Sequence, residues 1–276
     1  MKYILELFQY QYFVNAILAT LLAAISCGIA GTYVVSRRIV FISGGITHTS
    51  FGGIGIGYFF GFNPVWGAAI FSVFSALGIE YFTQKGNIRN DSVIAMLWSL
   101  GMAIGIIFIY LTPGYAPNLM TYLFGSILTV NSKDLIMLAG LSAVIVLFFL
   151  LFFRRIQYIS FDQEYAISLN QHVGFINYSL MTLVALTIVF NIKLVGIILL
   201  LSMLTIPQNT ANLLTKDYRK IIYLSVLIGF AGSLSGLIIS YFLNIPSGAT
   251  IIFSMVCIYL LLRMVLWIRT ILTRSE

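Results

Sequence analysis

Residues 39–62 read Ile-Val-Phe-Ile-Ser-Gly-Gly-Ile-Thr-His-Thr-Ser-Phe-Gly-Gly-Ile-Gly-Ile-Gly-Tyr-Phe-Phe-Gly-Phe. The stretch is apolar enough to lie in a bilayer, yet too rich in glycine to be an ordinary lipid-facing helix. It also carries one histidine, His48. An ionisable side chain inside a membrane is costly and usually marks a pathway or site. A glycine-rich segment around one metal-competent imidazole therefore fits a permeation path better than a simple anchor.

Composition widens that reading to the whole chain. Of 276 residues, 60% are hydrophobic and 8% charged, against about 25% charged in a soluble domain. The fold class is an all-α polytopic membrane protein, with a single transmembrane domain spanning 1–276. A net charge of +7 does not point to nucleic acid, because the basic residues punctuate apolar runs and form no continuous face. The first apolar run, 13–35, is too long for a signal-peptide core and lacks a convincing cleavage site. Cys27 and Cys257 lie inside apolar runs and read as small packing residues.

A span needs about 20 apolar residues. Runs near 13–35, 46–61, 65–83, 93–112, 135–153, 176–191, 194–214, 221–243 and 247–268 qualify. Nine crossings result, or eight, since the second and sixth are short. Lysine and arginine set the orientation. Arg37, Arg38, Lys85, Arg89, Arg154, Arg155, Lys216, Arg219, Lys220, Arg263, Arg269 and Arg274 fall on one side, and Lys2, Lys133 and Lys193 on the other. The richer side is expected to be cytoplasmic, with the N-terminus outside and the C-terminus inside. The run 119–130 is too short to cross and reads as a re-entrant or interfacial helix on the outer side. Glycines four apart (Gly53/Gly57/Gly61, Gly101/Gly105, Gly232/Gly236) predict close helix contacts.

Chemistry is sparse along the spans. Arg263 can snorkel, and Glu80, five residues before Lys85, is expected at the same interface making a helix-end contact. His48 stands apart, with Ser43, Thr47, Thr49 and Ser50 as neighbouring oxygens. Gly44 and Gly45 would let the backbone leave the helix and offer carbonyls. The plainer alternative is a histidine satisfied by a carbonyl between helices. The polar loop at about 156–175 is the longest hydrophilic segment. Ser160 is expected to cap a short helix there, with Asp162 and Glu164 in its first turn and Asn170 ending it. Such an element suits docking of a soluble partner. No Gly-Lys dipeptide occurs, so a phosphate-binding loop of the usual kind is excluded and any ATP must be hydrolysed by another subunit. A secondary transporter would need central acidic residues, and an intramembrane metalloprotease would need clustered histidines and glutamates. Neither pattern is visible.

The stretch from Arg37 to Tyr58 resembles the permeases of ABC importers for zinc, manganese and iron(II). Tyr122-Leu-Phe-Gly-Ser-Ile-Leu128 and Leu194-Val-Gly-Ile-Ile-Leu-Leu-Leu-Ser-Met-Leu-Thr-Ile-Pro-Gln-Asn-Thr-Ala211 are similar to further family segments, as is Asn244-Ile-Pro-Ser-Gly-Ala-Thr250. Phe161-Asp-Gln-Glu-Tyr-Ala166 resembles the ATPase-coupling loop. The resemblance implies a non-enzymatic transport subunit of a bacterial cytoplasmic membrane, working as a homodimer. Its partners would be a separate ABC ATPase that binds the ATP and an extracytoplasmic metal-binding protein. The cargo would be a transported divalent metal ion, zinc or manganese first, with iron(II), iron–siderophore or cobalamin as alternatives. His48 is then the metal residue, with Ser43, Gly44 and Thr47 as helpers. Phe161, Asp162, Glu164, Ala166 and Asn170 are the coupling residues. In the family the position of Gly44 holds an aspartate, and a glycine is usual where Asn170 stands.

Overall fold

The computed structural model describes residues 9–86, 88–113, 125, 127–169 and 172–272, with Lys193 described by its backbone only. Among them are ten α-helices and no strand. They are α1 (Gln11–Ser36), α2 (Phe41–Phe60), α3 (Pro64–Lys85), α4 (Asn90–Leu111), α5 (Ser132–Phe161), α6 (Gln163–Ser168), α7 (Val173–Met203), α8 (Ile206–Leu214), α9 (Tyr218–Leu243) and α10 (Ser247–Leu272). A short 3-10 turn, Ile127–Thr129, precedes α5.

Among the described residues, eight stretches are long and apolar enough to cross a membrane: α1, α3, α4, α5, Val173–Ile192, Leu194–Leu214, α9 and α10. The ninth expected crossing, α2, is 20 residues long, about 30 Å at 1.5 Å per residue. It lacks the apolarity because its glycines, hydroxyls and His48 dilute it. It does not need that apolarity, since α3, α4 and α7 surround it and leave most of its residues buried.

Local chemistry fixes the turns. Arg38 ends α1 at φ 58°, and the Arg38 and Ile39 amides donate to the Val35 and Val34 carbonyls. That is the bonding of a Schellman motif, with arginine where glycine is usual. Gly61 ends α2 at φ 72°, and Asn63 caps α3 through the Val65 amide, with Pro64 in the first turn.

Contacts sort these turns into two ends. At one end Arg37 donates to the Ile159 carbonyl, and Ser160 meets Tyr218. At the other Asn15 donates to the Val130 carbonyl, and Trp66 packs edge-on against Phe190. The first end also carries Arg38, Lys85, Arg89, Lys216, Arg219 and Lys220.

Glycines let the helices close on one another, as their spacing predicts. A Cβ on Gly53 would stand 2.1 Å from the Gly67 carbonyl oxygen, which locks α2 to α3. Gly101 and Gly105 bring α4 onto α2, and Gly236 brings α9 onto Ile251 of α10.

One expectation about a backbone break is corrected. Gly44 and Gly45 do not interrupt α2, which runs unbroken through both. The sixth and seventh candidate spans meet at Lys193. The helix passes through it and breaks at Gly196, at φ 75° and ψ 167°. Gly125, at φ 57°, presses on that break: a Cβ there would lie 2.2 Å from the Gly196 amide nitrogen. Only glycine combines these angles with this approach. Of the expected re-entrant helix at 119–130, residues 119–124 and 126 lie outside the described residues.

Candidate functional site

α2 presents Gly44 and His48 one turn apart on the same face, both half-buried, as the helical period requires. The indole of Trp98, from α4, lies flat on the His48 imidazole with ring centroids 4.2 Å apart and 6° between planes. The Phe51 ring stands 6.2 Å away on the same helix. The register of this stack comes from the glycine contact one turn further along. A Cβ on Gly101 would meet Thr49 Cα at 2.5 Å, so α4 seats against α2 beside His48 and Trp98 falls over the imidazole.

His48 Nδ1 is buried and has no hydrogen-bond partner. An orphaned polar atom in a membrane interior loses its hydration without replacement, and an imidazole is a metal-competent group. The neighbouring hydroxyls do not fill the gap. Ser43 donates to the Val40 carbonyl at 2.6 Å, Thr47 to the Ser43 carbonyl at 2.6 Å, and Ser50 to the Thr47 carbonyl at 2.6 Å. Ser43 and Thr47 are fully buried, away from the half-exposed face of His48. Of the three expected helpers, only Gly44 shares that face, and it has no side chain to offer. Among the described residues no three His, Cys, Asp or Glu side chains gather to hold a metal. The described residues therefore offer His48 no companion side chains for a fuller coordination shell.

The second group of expected residues lies at the Arg37 end. α6 is a six-residue helix capped by Asp162, whose carboxylate accepts from the Tyr165 amide at 2.9 Å. Ser160 is not the cap. It remains in α5, where its hydroxyl donates to the Ile156 carbonyl. Glu164 is exposed in the first turn of α6, Ala166 is buried, and Phe161 is exposed with its ring 5.8 Å from Tyr218. Asn170 lies outside the described residues. Arg37 ties this element to the bundle, donating to the Ile159 carbonyl at 2.9 Å and to Gln163 Oε1 at 2.8 Å.

The chain matches the ABC 3 transport family over residues 9–266. The chain belongs to that family. It is 42% identical over 244 residues to an uncharacterized membrane protein of Synechocystis, covering 88% of this chain and 87% of the relative. It is 33% identical over 252 residues to the manganese transport system membrane protein MntC of Listeria monocytogenes, covering 91% and 90%. Among solved structures, PsaBC from Streptococcus pneumoniae in complex with Fab matches with a TM-score of 0.83 at 29% identity, covering 95% of this chain and 94% of that one.

Two features of this family member were not visible in its sequence. Trp98 stands fifty residues from His48, and only the Gly101 contact reveals that they stack. Glu80 lies at the Lys85 end of α3, as expected, but it is buried within the bundle there, 4% exposed. Gln84 donates to its carboxylate, and Arg37 lies within electrostatic reach. Arg37 thus stands between a buried acid on α3 and the α6 element. The i, i+4 spacing of Glu80 and Gln84 marks them only as helix neighbours, and nothing in it announces the approach of Arg37.

Proposed function

We propose that this chain is the membrane-spanning permease subunit of an ATP-driven importer of divalent metal ions, zinc or manganese, with His48 on the ion path. The observation that carries the reading is the orphaned His48 nitrogen on a half-buried face of α2, within a chain of the ABC 3 transport family. One imidazole makes an incomplete site. A second copy of the chain, related by a two-fold axis at this face, would supply a second imidazole, and homodimers of this symmetry are common. The ion would then cross at the subunit boundary. Metal is cargo here, held by few ligands so that it can leave.

The Arg37 end is the cytoplasmic end in this reading, which follows from its excess of lysine and arginine. There α6 and the loop at about 156–175 would meet a separate ABC ATPase, which binds the ATP. Phe161, Glu164 and Tyr165 offer it exposed side chains, and Arg37 carries movement of α6 into α1 and α5. An extracytoplasmic metal-binding protein would deliver ions at the other end of a single permease domain in a bacterial cytoplasmic membrane. Glu80 does not favour a secondary transporter, because it sits at the Arg37 end of α3 rather than mid-membrane.

The test is growth under zinc or manganese limitation in cells lacking their own importers. Restoring this chain with its ATPase and binding protein is expected to rescue growth under one limitation. Failure to rescue either, with all three proteins present in the membrane fraction, would overturn the assignment.

A further inference from the structure

We propose that Trp98 is a specificity-determining residue: its indole backs the His48 imidazole in place of a second side-chain ligand and makes the site select zinc over manganese. The inference rests on the reading of His48 as the ion-path residue and adds which ion it passes.

Position 44 is one turn from His48 and, unlike the buried positions 45, 51 and 52, shares its half-buried face, so a second ligand from α2 could stand there. It is glycine, and not for want of room. A Cβ there would meet a single neighbouring atom within 4 Å, Trp98 Cζ3, at 3.9 Å. At the adjacent Gly45 the same construction meets Ile94 Cγ2 at 2.3 Å. Gly45 is glycine because two helices touch, whereas Gly44 leaves a space that only the indole borders. That indole continues over His48 in a nearly parallel stack.

The stack orients the imidazole by covering one ring face, and it leaves the buried Nδ1 with no protein group competing for it. When an ion binds, positive charge spreads onto the imidazole, and the electron-rich indole face is the favourable neighbour for that charge. The indole donates no oxygen. Manganese(II) relies on carboxylate, carbonyl and water ligands, whereas imidazole suits zinc, and nitrogen sites hold zinc above manganese across the divalent series. A carboxylate at 44 would favour manganese, and a glycine backed by an indole favours zinc. Trp98 acts through His48 and is therefore a positioning residue.

The experiment uses the assembled permease–ATPase complex in nanodiscs, titrated with zinc chloride and with manganese chloride. Bound metal is measured by equilibrium dialysis, and indole emission is followed as the difference between the complex and its Trp98→Phe variant. Zinc is expected to bind at least ~10-fold more tightly than manganese and to change the Trp98 emission, and His48→Ala should abolish that change. Trp98→Leu should weaken zinc by about 10-fold, the lower range for groups that orient a metal ligand, while Trp98→Phe keeps most of the affinity. Gly44→Asp should raise manganese affinity by at least ~10-fold. Equal affinity for the two ions, or a zinc preference unchanged in both Trp98→Leu and Gly44→Asp, overturns the proposal. If Trp98→Leu fails to assemble, Gly44→Asp decides alone, since position 44 has room for a side chain. A complex that transports metal with a selectivity indifferent to both positions defeats only this inference. A complex that transports no divalent ion defeats the proposed function itself.

Discussion

Replacing Gly101 with alanine tests whether the helix contact beside His48 is as tight as the structure requires. The added Cβ would lie 2.5 Å from Thr49 Cα and 2.8 Å from the Thr49 carbonyl oxygen. Both are backbone atoms of α2 and cannot rotate away. Reaching an ordinary contact of 3.4 Å requires α4 to move by about 0.9 Å in an interior packed as densely as an organic crystal. Overpacking of this kind costs about 1–3 kcal/mol, and backbone contact puts this case at the upper end. Alanine returns about 1 kcal/mol of helix propensity, so the net loss is about 2 kcal/mol. The same displacement lifts Trp98 from the imidazole. Thermal unfolding of the purified protein in detergent is the assay, with Gly44→Ala as the control. Its Cβ meets Trp98 only at 3.9 Å, so it should be neutral or slightly stabilising. A Gly101→Ala protein as stable as the Gly44→Ala protein would refute the packing argument.

Three further outcomes are expected. Arg37→Met removes two hydrogen bonds from a charged donor, each worth about 1.5–3 kcal/mol, and leaves Glu80 without a nearby cation. Unfolding should occur at lower temperature, and ATP hydrolysis by the assembled complex should lose its dependence on the delivery protein. Asp162→Ala deletes the cap of α6, a change of about 1 kcal/mol on a six-residue helix. Co-purification of the ATPase should fall while the melting temperature of the permease hardly changes. Arg38→Gly relieves a left-handed residue, which costs about 1–2 kcal/mol, so the melting temperature should rise.

The sequence showed the membrane class, the crossings and the positions of close helix contact, because apolar runs and four-residue glycine spacing are local signals. It misplaced the backbone break. Gly44-Gly45 and Gly196 look alike as letters, but α3, α4 and α7 hold the first pair in a helix, while Gly125 presses on the second. It also favoured Ser160 over Asp162 as a cap. Both are competent, and the choice fell to Tyr218 and the Ile156 carbonyl, which occupy the Ser160 hydroxyl from within the bundle. His48 was legible as a lone imidazole in glycine-rich sequence. Its surroundings were not, since Trp98 is brought to it by the Gly101 contact and Arg37 is brought to Glu80 by the packing of α1 on its neighbours. Such juxtapositions depend on register between helices, which a single sequence does not encode locally.

The most direct measurement is ATP-driven uptake of radiolabelled zinc and manganese into proteoliposomes holding the permease, its ATPase and the binding protein, with His48 and with His48→Ala. The account predicts that His48→Ala assembles normally and hydrolyses ATP, yet loses metal uptake. Uptake undiminished in that variant would contradict the placement of the ion path at His48.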